Sequence, residues 1–213
     1  MGRVNNYLRK IINRYNQKKL KNKEFTLISS NCNGCLICHD LNVKFNSPFV
    51  NLYLEPKHFI KYLKNMEYYN KCEINFVNDK SVYYPIGMLD DIRLHFVHYE
   101  SEKQARDKWN ERVKRINLDN MFILMSERDG CTMEDLIDFD KLPYKNKVVF
   151  THLPYKNIKS SFYINGFEEY KCVGECFRFK NRFTGKKYYD DFDYVTWFNE
   201  GKNQNIINER CEI

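Results

Sequence analysis

Short apolar segments alternate with helical segments between residues 23 and 155, and this alternation most constrains the fold. Buried strands are predicted at residues 25–30, 121–125 and 147–151, and amphipathic helical patterns fall between them. Strands that alternate with helices are typical of an α/β domain whose sheet is largely parallel. We therefore predict a three-layer, Rossmann-like α/β core with a largely parallel, mixed sheet.

The pattern changes after residue 155, where the chain becomes aromatic and strand-like with glycines at the turns. Segments 170–179 and 188–198 are predicted as strands on this basis. A chain of 213 residues suits one domain with a small appendage. The predicted division is a basic amphipathic helix packed on the domain (1–22), an α/β core (23–155) and an antiparallel β-rich C-terminal extension of the same domain (156–213).

Positive charge is concentrated at the N-terminus. The first 23 residues hold eight basic side chains and no acidic one, whereas the rest of the chain carries 27 basic and 28 acidic side chains. A nucleic-acid-binding protein would spread basic residues over a binding face, so no nucleic-acid partner is predicted. One local basic element with its own role is expected instead.

An amphipathic helix is predicted over residues 3–20, because apolar residues recur there at three- and four-residue spacing. One interpretation is a helix docked on the domain with a solvated basic face. The other is an interfacial helix attracted to an anionic membrane surface. The chain has no apolar run of about 20 residues and no pattern of a secretory signal. A cytoplasmic location is therefore expected, with peripheral association at the inner membrane face as a further hypothesis.

Cys32 follows the first predicted strand in a polar turn beside Asn31. Ligands gather at the carboxyl ends of strands in open α/β sheets, and a thiol there can attack a carbonyl group. A structural thiol is the alternative interpretation. Cys32, Cys35 and Cys38 recur at every third residue before His39, but no fourth cysteine follows at ferredoxin spacing, and no metal is predicted.

Two further side chains are candidates for proton transfer. His98 stands near the end of a strand predicted at residues 92–98 and is the candidate general base. Asp129 lies in a strand-to-helix turn, where a carboxylate can orient a histidine or bind a sugar hydroxyl. A satisfied structural histidine and an ordinary Asp-Gly turn are the respective alternatives.

Polar side chains are dense at the end of the helix predicted to begin at Ser101 and after it. Arg112 and Arg115 fall three residues apart on one helix face and could clamp a phosphate or carboxylate. A salt-bridged helix surface is the alternative. The other predicted substrate-binding residues are Asn31, Asn117, Asn120 and Arg128. No dinucleotide fingerprint or phosphate-binding loop occurs in the chain, which disfavours dehydrogenases and Walker-type kinases.

Three strings resemble one family when they are taken together and in this order. They are Ile28-Ser-Ser-Asn-Cys-Asn-Gly34, Tyr84-Pro-Ile-Gly-Met-Leu-Asp-Asp-Ile-Arg-Leu-His-Phe-Val-His-Tyr99, and Lys108-Trp-Asn-Glu-Arg-Val-Lys-Arg-Ile-Asn-Leu-Asp-Asn120 running on to Arg128-Asp-Gly-Cys-Thr132. They resemble the bacterial exopolysaccharide-biosynthesis-associated family called domain of unknown function 1919. The family string usually reads Ser-Asn-Asn-Cys-Trp-Gly-Gly, so here Asn33 replaces the Trp and Cys35 replaces the second Gly.

The resemblance implies an α/β fold and a place in exopolysaccharide or capsular polysaccharide biosynthesis. It groups Cys32 as nucleophile, His98 as base and Asp129 as orienting residue. We predict a transferase that moves an acyl group from an acyl-coenzyme A donor to a sugar or lipid-linked saccharide. The alternatives are a glycosyltransferase with a nucleotide-sugar donor and a non-enzymatic assembly module of the polysaccharide machinery.

Overall fold

The computed structural model describes residues 3–201. Residues 1–2 and 202–213 lie outside the described residues, and with them Cys211 and the end of the predicted C-terminal extension. The strands are β1 (Thr26–Ser29), β2 (Ile74–Val77), β3 (Ile86–Leu89), β4 (Ile92–His95), β5 (Met121–Ser126), β6 (Lys147–Thr151) and β7 (Ser161–Tyr163). The helices are α1 (Arg3–Lys19), α2 (Asn33–Leu41), α3 (Pro56–Lys64), α4 (Met66–Tyr69), α5 (Glu102–Val113), α6 (Met133–Asp140) and α7 (Tyr194–Glu200).

A four-stranded parallel sheet in the order β1-β5-β6-β7 forms the centre of this α/β protein. Ile28 of β1 lies opposite Ile123 of β5, and Leu124 of β5 lies opposite Val148 of β6. The largely parallel sheet is therefore confirmed. The antiparallel strands β2, β3 and β4 form a separate sheet rather than extending the parallel one into a mixed sheet.

Both faces of the parallel sheet are covered by apolar side chains. Ile28 belongs to a cluster with Phe59 and Trp109, whereas the neighbouring Leu27 belongs to a second cluster with Trp197. Successive residues of a strand point to opposite faces, so a strand buried on both faces needs a continuous apolar run. This requirement explains why these strands were recognisable in the sequence.

The strands predicted at residues 170–179 and 188–198 are wrong. The structure has one antiparallel bridge there, between Phe179 and Lys187, followed by a 3₁₀ turn and helix α7. The Asp193 side chain accepts a hydrogen bond from the Thr196 N–H and caps α7. The buried residues of α7 recur at helical spacing, so the aromatic residues of this segment pack through a helix face instead of a strand.

Helix α1 confirms the predicted helix but docks through its polar face. Asn5 and Arg9 are its buried residues, and Arg9 Nη2 lies 2.7 Å from an Asp40 carboxylate oxygen of α2. Arg9 also pairs with Asp190. Burial alone would raise the pKa of Asp40, but hydrogen bonds from Lys187 and Tyr189 and the charge of Arg9 lower it to about 2. A buried ion network therefore ties α1 to α2.

No helix within residues 3–201 is long and apolar enough to cross a membrane.

Candidate active site

The start of α2 brings two cysteines to the carboxyl edge of the parallel sheet. Cys32 is the N-cap residue of α2, three residues after the end of β1, and its carbonyl accepts a hydrogen bond from the Leu36 N–H. Gly34 lies so close to β1 that an added Cβ would stand 2.5 Å from the Ser29 Cβ. The missing side chain of Gly34 thus lets the first turn of α2 pack directly on the strand.

Cys32 and Cys35 lie on this first turn, where the Cys35 thiol donates to the Cys32 carbonyl and the Cys32 thiol to the Leu52 carbonyl. Cys32 is half-buried and Cys35 is buried, and Cys35 Sγ lies 3.2 Å from the Cys32 carbonyl oxygen. The hydrogen bond from Cys32 lowers the pKa of Cys35 to about 7 against the opposing effect of burial, and it raises the pKa of Cys32. One negative charge shared between two sulfurs is therefore expected near neutral pH.

Arg112 supplies positive charge beside this thiol pair. Its Nη1 donates a 2.7 Å hydrogen bond to the Tyr99 hydroxyl, which in turn donates to the Val50 carbonyl at 2.8 Å. The largest effects on the pKa of Cys35 are the hydrogen bond from Cys32, which lowers it, and burial, which raises it. A hydrogen bond from the Asn51 backbone and the charge of Arg112 lower it further. A fixed cation next to a thiolate can also receive an anionic substrate group.

Asn51 and Asp129 flank the thiols in left-handed backbone conformations, with φ values of 62° and 58°. Asn51 Oδ1 lies 3.9 Å from Cys35 Sγ. The Asp129 carboxylate pairs with Arg128 at 3.3 Å and acts electrostatically on Cys32. Residues in this sparsely populated region cost free energy, so the surrounding structure must hold both turns in place beside the thiols.

His98 is less closely tied to this group than Asp129 is. Strand β4 ends at His95, so His98 lies beyond it in a turn, and the predicted strand to residue 98 is too long. The His98 backbone N–H donates to the Asn51 carbonyl at 3.3 Å, which brings the His98 turn beside the thiol pair, while the residue is exposed. The roles of His98 and Asp129 as base and orienting residue stay predictions.

The remaining predicted substrate-binding residues are divided between the two ends of the sheet. Asn31 is buried at the carboxyl edge, where its side chain accepts from the Asn33 N–H. Arg115 pairs with Glu111 and donates to the Phe45 carbonyl. Asn117 and Asn120 lie before β5, at the amino-terminal edge, and bond to Glu24, Thr26 and Asn22. Asn117 and Asn120 therefore join the start of β5 to the segment before β1.

A buried histidine–carboxylate pair at the same carboxyl edge was not recognised in the sequence. His152 Nδ1 lies 2.7 Å from a carboxylate oxygen of Glu127, and the Tyr155 hydroxyl donates to the other oxygen at 2.7 Å. Glu127 directly follows β5 and His152 directly follows β6. The rule that singled out Cys32, a polar residue just beyond a buried strand, also applies to both of them.

Comparison with known proteins places this architecture in a family. The family model described as Domain of unknown function (DUF1919) matches residues 3–199. The chain belongs to this family. It is 52% identical over 196 residues to a protein of Haemophilus influenzae (strain ATCC 51907 / DSM 11121 / KW20 / Rd), covering 92% of this chain and 94% of the relative, which is described as an uncharacterized protein. Neither description mentions a reaction or a polysaccharide, so the function implied by the resemblance stays a prediction.

The DUF1919 match covers α1, both sheets, the thiol pair and α7 except its last residue. It therefore extends beyond the three strings that carried the resemblance in the sequence.

Gly34→Ala is expected to destabilise the protein and displace the thiols. The new methyl group would overlap the Ser29 side chain, so α2 must shift away from β1. Overpacking of this kind costs about 1–3 kcal/mol in free energy of unfolding. Urea unfolding measures the loss in free energy of unfolding. Gly130→Ala is the control for overpacking, since its Cβ would meet no atom within 4 Å. The φ of 85° at Gly130 adds local strain to this variant. A Gly34→Ala protein as stable as the wild type would show that close packing does not fix α2.

Proposed function

We propose that this DUF1919 protein is a cysteine-dependent transferase that moves an acyl group from a coenzyme A thioester to a sugar hydroxyl. The placement of Cys32 and Cys35 on one helical turn, at a helix start on the carboxyl edge of a parallel sheet, is the observation that carries the proposal. A thiolate is the reactive form of cysteine, and a helix N-terminus stabilises it. Because the pKa is lowered at Cys35 and raised at Cys32, the proposed role of the Cys35 thiolate is to take the proton from Cys32 as Cys32 attacks. Arg112 provides a nearby cation for an anionic part of a substrate.

In the first half-reaction, Cys32 Sγ attacks the donor carbonyl carbon while its proton moves to the Cys35 thiolate. The carbon–sulfur bond of the donor breaks, and coenzyme A leaves as a thiolate that recovers the proton from Cys35. This thioester exchange leaves the acyl group on Cys32 and needs no oxidant or other co-reactant. Cys35 therefore acts as the proton acceptor for its neighbour.

In the second half-reaction, the oxygen of a sugar hydroxyl attacks the acyl–Cys32 carbonyl carbon. An ester forms, Cys32 leaves as a thiolate, and the hydroxyl proton passes to a base. His98 is the base predicted from the sequence, and His152, held by Glu127, is a second candidate at the same edge. The proposed acceptor is a sugar or lipid-linked saccharide of exopolysaccharide or capsule assembly, supported by the resemblance of the three sequence strings.

The proposal includes a cytoplasmic location with peripheral association at the inner membrane face, where lipid-linked saccharides are accessible. It also includes a three-layer, Rossmann-like assignment of the core, supported by the coverage of both faces of the parallel sheet.

Dithiol–disulfide exchange is a second candidate function, favoured by the presence of two cysteines in one helical turn. Cys32 would attack a substrate disulfide and release one thiol, and Cys35 would then displace the second thiol. The substrate gains two electrons as Cys32 and Cys35 become a disulfide. This chemistry requires both cysteines, whereas acyl transfer requires the Cys32 sulfur and is only assisted by Cys35.

Acetyl-coenzyme A is the probe that tests the proposed function. The protein is mixed with it, quenched in acid and analysed by peptide mass spectrometry. We expect one hydroxylamine-sensitive acetyl group on Cys32, which forms more slowly in Cys35→Ser. Absence of the adduct, together with reduction of oxidised glutathione by the wild type but not by Cys35→Ser, would replace acyl transfer with dithiol exchange. Metal-dependent hydrolysis of a nucleotide sugar, unaffected by Cys32→Ala, would instead favour the glycosyltransferase alternative.

A further inference from the structure

Helix α1 leaves its apolar stripe uncovered within the described part of the chain. Asn5 and Arg9 occupy the buried face, and Leu8 and Ile12 beside it are half-buried. The other four apolar residues of the helix, at three- and four-residue spacing, point outward. Their exposed fractions range from 48% to 67%, at Val4, Tyr7, Ile11 and Tyr15. These four residues are called the α1 stripe. A stripe of this kind on a surface helix usually faces the core, so its outward orientation requires an explanation.

A row of basic side chains runs along one edge of the α1 stripe. Each of these basic residues directly precedes a residue of the stripe, so the basic row and the stripe lie side by side on the helix. The basic residues are Arg3, Lys10 and Arg14. All three basic residues are exposed, and no acidic residue occurs in the first 23 residues. The exposed face of α1 thus combines apolar and cationic surfaces without an intervening carboxylate of its own.

The other edge of the α1 stripe opens into an apolar groove of about 430 Å³ between α1 and the segment leading into α7. Ile11, Ile12 and Tyr15 line one wall, and apolar residues of the 192–195 segment line the other. Two carboxylates also line the groove, and both have partners within the protein: Asp190 pairs with Arg9, and Asp193 caps α7. The groove therefore continues the apolar surface of the stripe.

We propose that the α1 stripe binds an anionic lipid bilayer, with the apolar residues in the headgroup–acyl boundary and the basic row against the headgroups. A mixed apolar and cationic helix face is the arrangement of interfacial helices, and each basic residue near an anionic surface strengthens binding. Tyr7 and Tyr15 suit the boundary, since each ring is apolar and each hydroxyl is polar. A protein partner would have to be both acidic and apolar along one narrow strip, whereas an anionic bilayer presents both properties everywhere.

Vesicle flotation tests this proposal with the full chain, at low and high salt. We expect the wild type to float with vesicles of phosphatidylcholine and phosphatidylglycerol, to remain unbound with phosphatidylcholine alone, and to lose binding as salt is raised. Ile11→Asp is expected to weaken binding at least about tenfold, because it places a carboxylate in the stripe. Phe183→Ser is the matched control, since Phe183 is a large residue with 77% exposure outside the stripe, and it should bind like the wild type.

A second pair of variants separates charge from apolar contact. Changing Arg3, Lys10 and Arg14 together to Gln is expected to weaken binding at least about tenfold, because each charge contributes separately. Replacing three exposed lysines far along the sequence, Lys57, Lys103 and Lys145, should leave binding unchanged. Thermal unfolding of every variant checks that the fold is intact.

Three outcomes would overturn the inference. They are failure of the folded wild type to bind anionic vesicles, equal binding by the folded Ile11→Asp variant, and a stable dimer that Ile11→Asp dissociates. The last result would assign the stripe to a second copy of the chain. The inference rests on the membrane-surface location included in the proposed function. None of these outcomes bears on the acetylation of Cys32, so membrane binding and the acyl-transfer chemistry can fail separately.

Discussion

Cys32→Ala is expected to abolish acyl transfer, with a loss of at least about a thousandfold in rate, because it removes the atom to which the acyl group is bound. The domain should remain folded, since Cys32 is half-buried at the first turn of α2 and its backbone carbonyl, which bonds to Leu36, is retained. Transfer from acetyl-coenzyme A is measured by peptide mass spectrometry, and folding by thermal denaturation.

Cys72→Ala is the matched control for this experiment. Cys72 is also half-buried, but it lies between α4 and β2, away from the carboxyl edge of the parallel sheet. It should keep the wild-type rate. A folded Cys32→Ala protein that transfers acetyl groups as fast as the wild type would eliminate Cys32 as the nucleophile, whichever base receives the proton.

Arg9→Met is expected to release α1 from the rest of the protein. Arg9 is held by Asp40 and Asp190, and Met preserves its apolar stem while removing its charge. Loss of one partner from a buried ion network leaves carboxylates without their compensating cation and typically costs about 3–5 kcal/mol. Lys187 still bonds to Asp40, so we expect a loss near the lower end, of about 3 kcal/mol.

Hydrogen exchange of the α1 amides and urea unfolding together measure this change. Arg14→Met is the control, because Arg14 is exposed on the same helix and the same substitution is made there. We expect rapid exchange in α1 for Arg9→Met and unchanged exchange for Arg14→Met. Equal protection in both variants would show that the buried network does not hold the helix.

Three strands of the parallel sheet, β1, β5 and β6, could be predicted because each is buried on both faces. The Thr132 N-cap of α6 is a local feature of the same kind, since a capping residue bonds within its own helix. The orientation of α1 could not be predicted. Its apolar spacing suggested a core-facing stripe, but the deciding contacts, from Arg9 to Asp40 and Asp190, join residues far apart in the sequence. Periodicity identifies the faces of a helix and not the partner of each face.

The candidate site was predictable only in part for the same reason. The position of Cys32 beyond a strand was a local signal, and so was the turn at Asp129. The pairing of Cys32 with Cys35 depends on where α2 begins, at Asn33. The sequence also has a cysteine at position 38, so spacing alone does not show which two of the three form the pair. The Glu127–His152 contact joins the ends of two neighbouring strands, so it required the strand order as well as the sequence.

The pH dependence of alkylation of the thiol pair tests the central claim most directly. Iodoacetamide reacts with thiolates, so its reaction rate with the peptide that carries Cys32 and Cys35 follows their ionisation. The thiolate is present above the pKa and lost as the pH falls below it, so the lowered pKa of Cys35 predicts a half-maximal rate near pH 7. In Cys35→Ser the midpoint should rise to the ordinary cysteine range or above. A wild-type midpoint near pH 9, unchanged in Cys35→Ser, would contradict an activated pair.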